Sequence, residues 1–292
     1  MIRADSWRLA EGDMITGDLT ALRLLGGGSA YEAYLAFDDI TYAPVVVKVI
    51  RPGQVADELS LRGLRREVEA LGTVNHPVVV RGLRHDLSGE RPHVVLEQID
   101  GPRLSTLLRH HGPLPAQQYL PLAIDLCSAL HYMRRVGWTH LDIKPGNVIM
   151  GSPARLIDLS VARPLAAAGA LRVAVGTGPY MALEQCEPPG TGVPGHASDV
   201  WGLGATLFEA VAGYRAFDDG NRFAQNLAER YPQLRDAPRQ LPSGTPYEVV
   251  KVLSAALDRD PDARPLPHEI AQALEPVLAR QPRARLAGLN FR

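Results

Sequence analysis

The run His140-Leu141-Asp142-Ile143-Lys144-Pro145-Gly146-Asn147, followed by Leu156-Ile157-Asp158-Leu159-Ser160, constrains this chain more than any other stretch. It sets an acid, a cation, an amide and a second acid at spacings that suit magnesium-dependent transfer of a phosphoryl group. Asp142 could accept the proton of an attacking hydroxyl, and Lys144 could neutralise charge on the group in flight. Asn147 and Asp158 offer hard oxygen ligands, the kind magnesium requires. A polar loop between two strands is the plain alternative, but four role-bearing residues in this order disfavour it. The chemistry then calls for two more things: a nucleotide site upstream and a supporting lobe downstream.

A chain of 292 residues can build one large domain or two compact lobes. Its net charge of −1 argues against nucleic acid as a partner, since phosphate binding selects a basic excess. No apolar run approaches the roughly 20 residues that span a bilayer, so no membrane segment is expected. The start, Met1-Ile2-Arg3-Ala4-Asp5, lacks the basic-then-apolar pattern of a secretion signal. Two cysteines, Cys127 and Cys186, with no Cys-x-x-Cys pair, fit a reduced cytoplasmic protein. Cys127 falls on an apolar helix face and reads as core. Cys186 reads as an exposed thiol with no activating neighbour. His110-His111 is a poor metal site, because adjacent rings splay apart and no cysteine lies near.

Periodicity divides the chain in two. Residues 19 to 50 read as β structure, with Leu22 to Leu25 running into Gly26-Gly27-Gly28-Ser29, a loosely alternating Tyr31 to Phe37, and the β-branched run Pro44 to Ile50. Leu61, Leu64, Val68 and Leu71 recur at helical spacing and predict a helix over 57–72, with Gly72 as its stop. His93 to Glu97 is another strand. After Gly101-Pro102 the character turns helical: Leu104 to His111, Pro115 to Gly137, and an almost wholly apolar helix over 198–212. A strand-rich front and helix-rich back give a two-lobed α+β organisation.

These residues together resemble the eukaryotic-type serine/threonine protein kinases of bacteria, over about residues 15 to 278. The run from His140 and the triplet at Asp158 are similar to that family's catalytic and metal loops. Val45-Val46-Val47-Lys48 stands some twenty residues after the glycines and resembles the strand whose lysine holds the α- and β-phosphates. Glu67, on the following helix, is where the family puts the partner of that lysine. Gly176 to Glu184 resembles the segment ending in the family's A-P-E, and Ser198 to Gly204 its buried helix. Asp260 to Pro265 resembles the late element whose arginine, here Arg264, pairs with Glu184. The resemblance implies a protein-kinase-like fold with a small β-rich N-lobe (about 15–97) carrying one main helix. A hinge (about 97–101) would lead to a larger helical C-lobe (about 102–278). A kinase domain over 1–278 would precede a short basic tail, 279–292, with Arg280, Arg283, Arg285 and Arg292.

The resemblance also implies the site. Gly26, Gly27, Gly28 and Ser29 would approach the phosphates of ATP, whose companion ion is magnesium, with manganese as the substitute. Leu25 and Ile149 would sandwich the adenine, Ala33 and Val46 would line its face, Leu96 would back it, and the backbone at Glu97 and Ile99 would hydrogen-bond its edge. Asp142, Lys144 and Thr177 would act at the acceptor, with Thr177 bridging the other two. Lys144 points to a serine or threonine hydroxyl on a protein substrate. A regulatory partner or a second copy would meet the N-lobe.

Five departures from the family pattern stand out, one of them Leu183 in place of the proline of A-P-E. Tyr31 replaces the third glycine, which should make the loop stiffer and bulkier over the phosphates. Ala33 and Val46 exchange the family's valine and alanine, a volume-conserving swap that argues for retained ATP binding. Ser160 and Leu159 replace glycine and phenylalanine in the metal loop, where serine resists positive φ. Leu141 replaces the arginine that ordinarily pairs with a phosphorylated residue in the activation segment, and the stretch between Val161 and Gly176 contains no serine, threonine or tyrosine. Phosphate sensor and phosphate acceptor are absent together, which predicts activity that does not depend on phosphorylation of that segment. A nucleotide-binding pseudokinase or scaffold and a small-molecule phosphotransferase are the rival readings.

Overall fold

The computed structural model describes residues 5–282. The secretion-signal reading of residues 1–4 and the tail arginines Arg283, Arg285 and Arg292 lie outside the described residues.

The front of the chain forms β1 (Met14–Thr16), β2 (Leu19–Gly27), β3 (Tyr31–Asp38), β4 (Ala43–Ile50), helix α1 (Glu58–Thr73), β5 (Gly82–Asp86) and β6 (His93–Glu97). The strands make one antiparallel sheet in the order β1-β2-β3-β4-β6-β5. Side chains alternate across a pleated strand, and the two faces differ. Tyr34, Ala36, Val45, Val47 and Val49 close one face into a core with Leu19, Ala21 and Val95. Ala33, Val46 and Lys48, on the other face, are only half-buried. That second face packs in part against α1, with Tyr31 and Val46 in one cluster with Leu61, Leu64 and Val68. At the outer end of the sheet, Arg84 donates to both oxygens of the wholly buried Asp38 (2.6 and 2.7 Å) and to Asp18 (2.7 Å).

Helix α1 is capped by Asp57, whose carboxylate accepts from the Ser60 amide at 2.8 Å. Gly72 does not end it. The helix continues through Thr73, which is exposed and whose hydroxyl donates back to Glu69 O at 3.0 Å. Below the sheet follow α2 (Leu104–His111), α3 (Ala116–Arg135), β7 (Trp138–Thr139), β8 (Val148–Ile149), β9 (Arg155–Leu156), β10 (Arg163–Pro164), α4 (Leu165–Gly169), α5 (Leu183–Cys186), α6 (His196–Ala212), α7 (Leu227–Arg230), α8 (Tyr247–Ala256) and α9 (Pro267–Ala279). β10 pairs with β7 and β8 with β9, so two short ribbons carry the loops on either side of Asp142 and Asp158. α3, α6, α8 and α9 share one apolar core. Among the described residues no helix is long and apolar enough to cross a membrane.

Cys186 corrects the sequence reading: it is buried, not exposed. α5 lies against the cluster around Trp201, and burial pushes the thiol far above its ordinary pKa. Cys127 is core, as its apolar helix face suggested.

Candidate active site

The glycine-rich stretch is the tip of the β2–β3 hairpin. Gly27 pairs with Glu32, and Gly28 donates to Tyr31 O (3.1 Å). A Cβ on Gly27 would sit 2.3 Å from Tyr31 O, so only glycine permits this closure. Gly26, Gly27, Gly28 and Ser29 are all exposed. Arg51 steadies the tip from behind, donating to Gly28 O at 2.8 Å and to the buried Glu32 at 2.9 Å.

Tyr31 does not lean over the exposed tip. Its hydroxyl donates to Ser60 O in the first turn of α1 (3.0 Å), and its ring lies 4.8 Å from Lys48 Nζ. Burial pushes the phenol up to about 12, so the hydroxyl keeps its proton and remains a donor. The extra bulk therefore joins the hairpin to the helix.

Lys48 stands on the half-buried face of β4, opposite Ala33. Its ammonium meets Glu67 Oε2 at 2.7 Å and Asp158 Oδ1 at 2.9 Å. Burial works to lower the lysine pKa, but the two carboxylates more than offset it and raise it. At Asp158 burial works to raise the carboxyl pKa, and Lys48 overrides this, holding it well below the usual range. Burial pushes the fully enclosed Glu67 carboxyl upward, with Lys48 opposing.

Asp142 follows a residue held from both sides. Leu141 has φ +63°, a left-handed conformation that leucine adopts at a cost. Asp199, on the buried helix α6, accepts from the amides of His140 (2.8 Å) and Leu141 (2.7 Å). Burial pushes the Asp199 carboxyl up to about 7 while those two amides pull against it. Around Asp142 the contacts close into a triangle. Lys144 donates to Asp142 Oδ2 and to Thr177 Oγ1, each at 2.6 Å, and Thr177 donates to Asp142 Oδ1 at 2.7 Å. Asn147 adds its amide nitrogen to Asp142 O (2.9 Å) and Oδ2 (3.0 Å). The positive φ expected to trouble Ser160 falls on Asp158 instead, at +69°, and Ser160 donates its amide to Asp158 Oδ1 at 3.3 Å.

Magnesium bound with a nucleotide needs few protein ligands, because phosphate and water complete its shell. Among the described residues no cluster of three or more His, Cys, Asp or Glu side chains forms a metal cage. Asn147 uses its nitrogen on Asp142, which turns its oxygen free, and Asp158 engages one oxygen with Lys48 and Ser160. One hard oxygen remains on each, a donor set that fits such an ion.

Of the other predicted contacts, Leu96 is buried at the back of the cleft, Ala33, Val46, Ile99 and Ile149 are half-buried, and Leu25 is 41% exposed. The Glu97 amide is already given to Arg81 O (3.0 Å), so its N–H is not free for a ligand. Its side chain has a second use that sequence reading missed: it takes Arg155 of β9 and the Arg81 amide (2.8 Å), pinning the strand end to the lower ribbon. Below the site, Glu184 and Arg264 form a fully buried pair at 2.7 and 3.0 Å, and Ser198 donates to the same carboxylate.

Residues 19–274 match the protein kinase domain family. The chain belongs to that family. It is 29% identical over 253 residues to serine/threonine-protein kinase PknB of Mycobacterium leprae, covering 82% of this chain and 40% of that protein. Serine/threonine-protein kinase PrkC of Bacillus subtilis is 28% identical over 271 residues, covering 90% of this chain and 40% of PrkC. Serine/threonine-protein kinase PknK of Mycobacterium tuberculosis is 36% identical over 255 residues, covering 82% of this chain and 22% of PknK. The chain thus spans 40% of the length of its PknB and PrkC relatives. It is a kinase domain of the bacterial, eukaryotic-type serine/threonine class, with the two-lobed fold of that class.

Proposed function

We propose that this chain transfers the γ-phosphoryl group of Mg-ATP to a serine or threonine hydroxyl of a protein, and does so without phosphate on its own activation segment. The closed triangle of Asp142, Lys144 and Thr177 is the observation that carries the reading. Asp142 accepts a proton from the acceptor hydroxyl. Thr177 and Lys144 fix both of its oxygens, so its orientation is set before substrate arrives. Lys144 also brings positive charge to the acceptor, where negative charge develops during transfer. Lys48, steadied by Glu67, orients phosphate oxygens beneath the hairpin tip of Gly26 to Ser29. The free oxygens of Asn147 and Asp158 would hold magnesium, which when bound supplies charge neutralisation for the nucleotide phosphates. Leu25, Ala33, Val46, Leu96 and Ile149 would flank the adenine, with backbone groups at Glu97 and Ile99 at its edge. The Ala33–Val46 exchange supports retained ATP binding. The catalytic unit is read as residues 1–278, acting in the cytoplasm on a protein substrate, with the N-lobe as the surface for a partner or second copy.

The test is an assay with radiolabelled ATP, magnesium and a generic basic protein. Asp142→Asn should lower the rate by about 10²- to 10⁴-fold, because a positioned base contributes on that order, while ATP affinity is nearly unchanged. A parent that labels no protein hydroxyl, or an asparagine variant as fast as its parent, would overturn the reading.

A further inference from the structure

Gln185 lies on the short helix α5, one residue after the buried Glu184, and is itself 3% exposed. Its amide nitrogen donates to Leu141 O at 2.8 Å and to Val175 O at 2.9 Å, and its oxygen accepts from the Ala182 amide at 3.1 Å. One side chain thus joins three backbone segments. Leu141 belongs to the loop that carries Asp142, and Val175 to the segment that carries Thr177. The two segments touch directly at this point. Gly176 has φ +126°, and a Cβ on it would meet Leu141 O at 2.8 Å. Leu141 therefore has its N–H held by Asp199 and its C=O held by Gln185. A leucine at positive φ beside the proposed base thus has both of its backbone groups held.

We propose that Gln185 is a positioning residue for phosphoryl transfer: its carboxamide, clamped to Leu141 O and Val175 O, sets the Asp142–Thr177 geometry and does uncharged the joining that an arginine–phosphate pair would do. The proposal rests on the reading of this chain as a kinase that works without activation-segment phosphate, and deepens it. Two features support the substitution. Leu141 brings no charge for a phosphate to meet, and the stretch between Val161 and Gly176 offers no hydroxyl to carry one. A buried carboxamide has two N–H donors in a fixed plane, and two carbonyls from different segments satisfy both. Such a joint is permanent, since nothing in it titrates or is added and removed.

Gln185→Met separates this role from packing. Methionine keeps the length and fills the space but has no donor, so a residue that only fills volume would survive the change. In the purified chain, Gln185→Met should lower kcat by about 10-fold or more, the order expected when catalytic groups are displaced by fractions of an ångström, with the KM for ATP within about twofold of the parent. Trypsin should also cut faster after the exposed Arg172 in the variant, while cleavage elsewhere keeps its parental rate. Gln185→Glu, which sets an acceptor against two carbonyls, should be at least as slow as the methionine variant. Parental kcat and parental cleavage at Arg172 in Gln185→Met would overturn the proposal while leaving the kinase reading intact. Loss of Mg-ATP binding by both variants, measured by calorimetry, would also overturn it, by making Gln185 a residue of the fold. A parent that loses activity on phosphatase treatment would overturn the phosphate-independent reading, and this inference with it.

Discussion

Asp199 commits both carboxylate oxygens to backbone amides at the turn that precedes Asp142. In Asp199→Asn one amide would face an NH₂ group in a wholly enclosed site. A buried donor left without an acceptor costs about 1–3 kcal/mol, so the urea midpoint should fall by a matching amount and transfer should slow as Leu141 relaxes. An unmoved midpoint would show that these bonds do not hold the turn. Lys48→Met removes the cation from between Glu67 and Asp158, leaving a buried carboxylate alone. Nucleotide affinity or transfer rate should drop steeply, and an unchanged rate would refute the role of the Lys48–Glu67 pair. At this scale the sequence was informative wherever a residue's chemistry was rare for its setting. A lysine inside a valine run needs a partner, and Glu67 was legible as that partner. The contact from Lys48 to Asp158 crosses from the sheet to the lower ribbon, so no local pattern marks it. Cys186 failed for the same reason, since α5 is too short for its periodicity to tell which side is covered. Gln185 acts through backbone carbonyls and an amide, which leave no trace in side-chain identity, and the Glu97 carboxylate meets Arg155 across 58 residues of sequence, beyond any local pattern.

Among the described residues one hydrogen bond, from the Tyr31 hydroxyl to Ser60 O, joins the hairpin β2–β3 to helix α1, beside the apolar packing of Tyr31 with Leu61 and Leu64. Tyr31→Phe should cost about 1 kcal/mol, the usual net worth of a hydrogen bond, and speed amide exchange in the first turn of α1 without changing the core of the sheet. Equal exchange in parent and variant would mean that the elements are held by apolar packing alone. Gly63 gives a sharper comparison. A Cβ there would lie 2.5 Å from the Tyr31 hydroxyl, so Gly63→Ala should destabilise the parent. In a Tyr31→Phe background the same alanine should be neutral or stabilising, because alanine is worth up to about 1 kcal/mol over glycine inside a helix. Thermal melts of the four proteins check this, and the same sign in both backgrounds would contradict it. The helix itself was legible from Leu61, Leu64, Val68 and Leu71, β3 from the loose alternation of Tyr31 to Phe37, and β4 from its β-branched run. β5 was not, because Gly82 to Asp86 is an edge strand, largely exposed, with a register shift that breaks alternation. α8 and α9 were also missed: α8 is short and valine-rich, so it reads as strand-like, and α9 carries Pro276 inside it, which breaks the helical spacing.

Across the whole molecule the loop of Asp142 is fixed by groups from three directions: Asp199 from α6, Gln185 from α5, and Thr177 from the activation segment. The buried Glu184–Arg264 pair holds α5 in turn, so the site is anchored through the helical lobe without any added charge. The two-lobed architecture could be read in advance because strand and helix periods separate near Glu97. How the segment docks could not, since docking is decided by close approach at Gly176 and one carboxamide. We infer that this arrangement is competent as folded. Its most direct test is one measurement on the purified chain after exhaustive phosphatase treatment: the single-turnover rate of phosphate transfer from Mg-ATP to serine or threonine of a protein acceptor, with mass spectrometry of residues 158–184. The same rate is expected before and after treatment, with no phosphate found in that segment. Loss of transfer on dephosphorylation, with phosphate mapped between Asp158 and Glu184 beforehand, would contradict it.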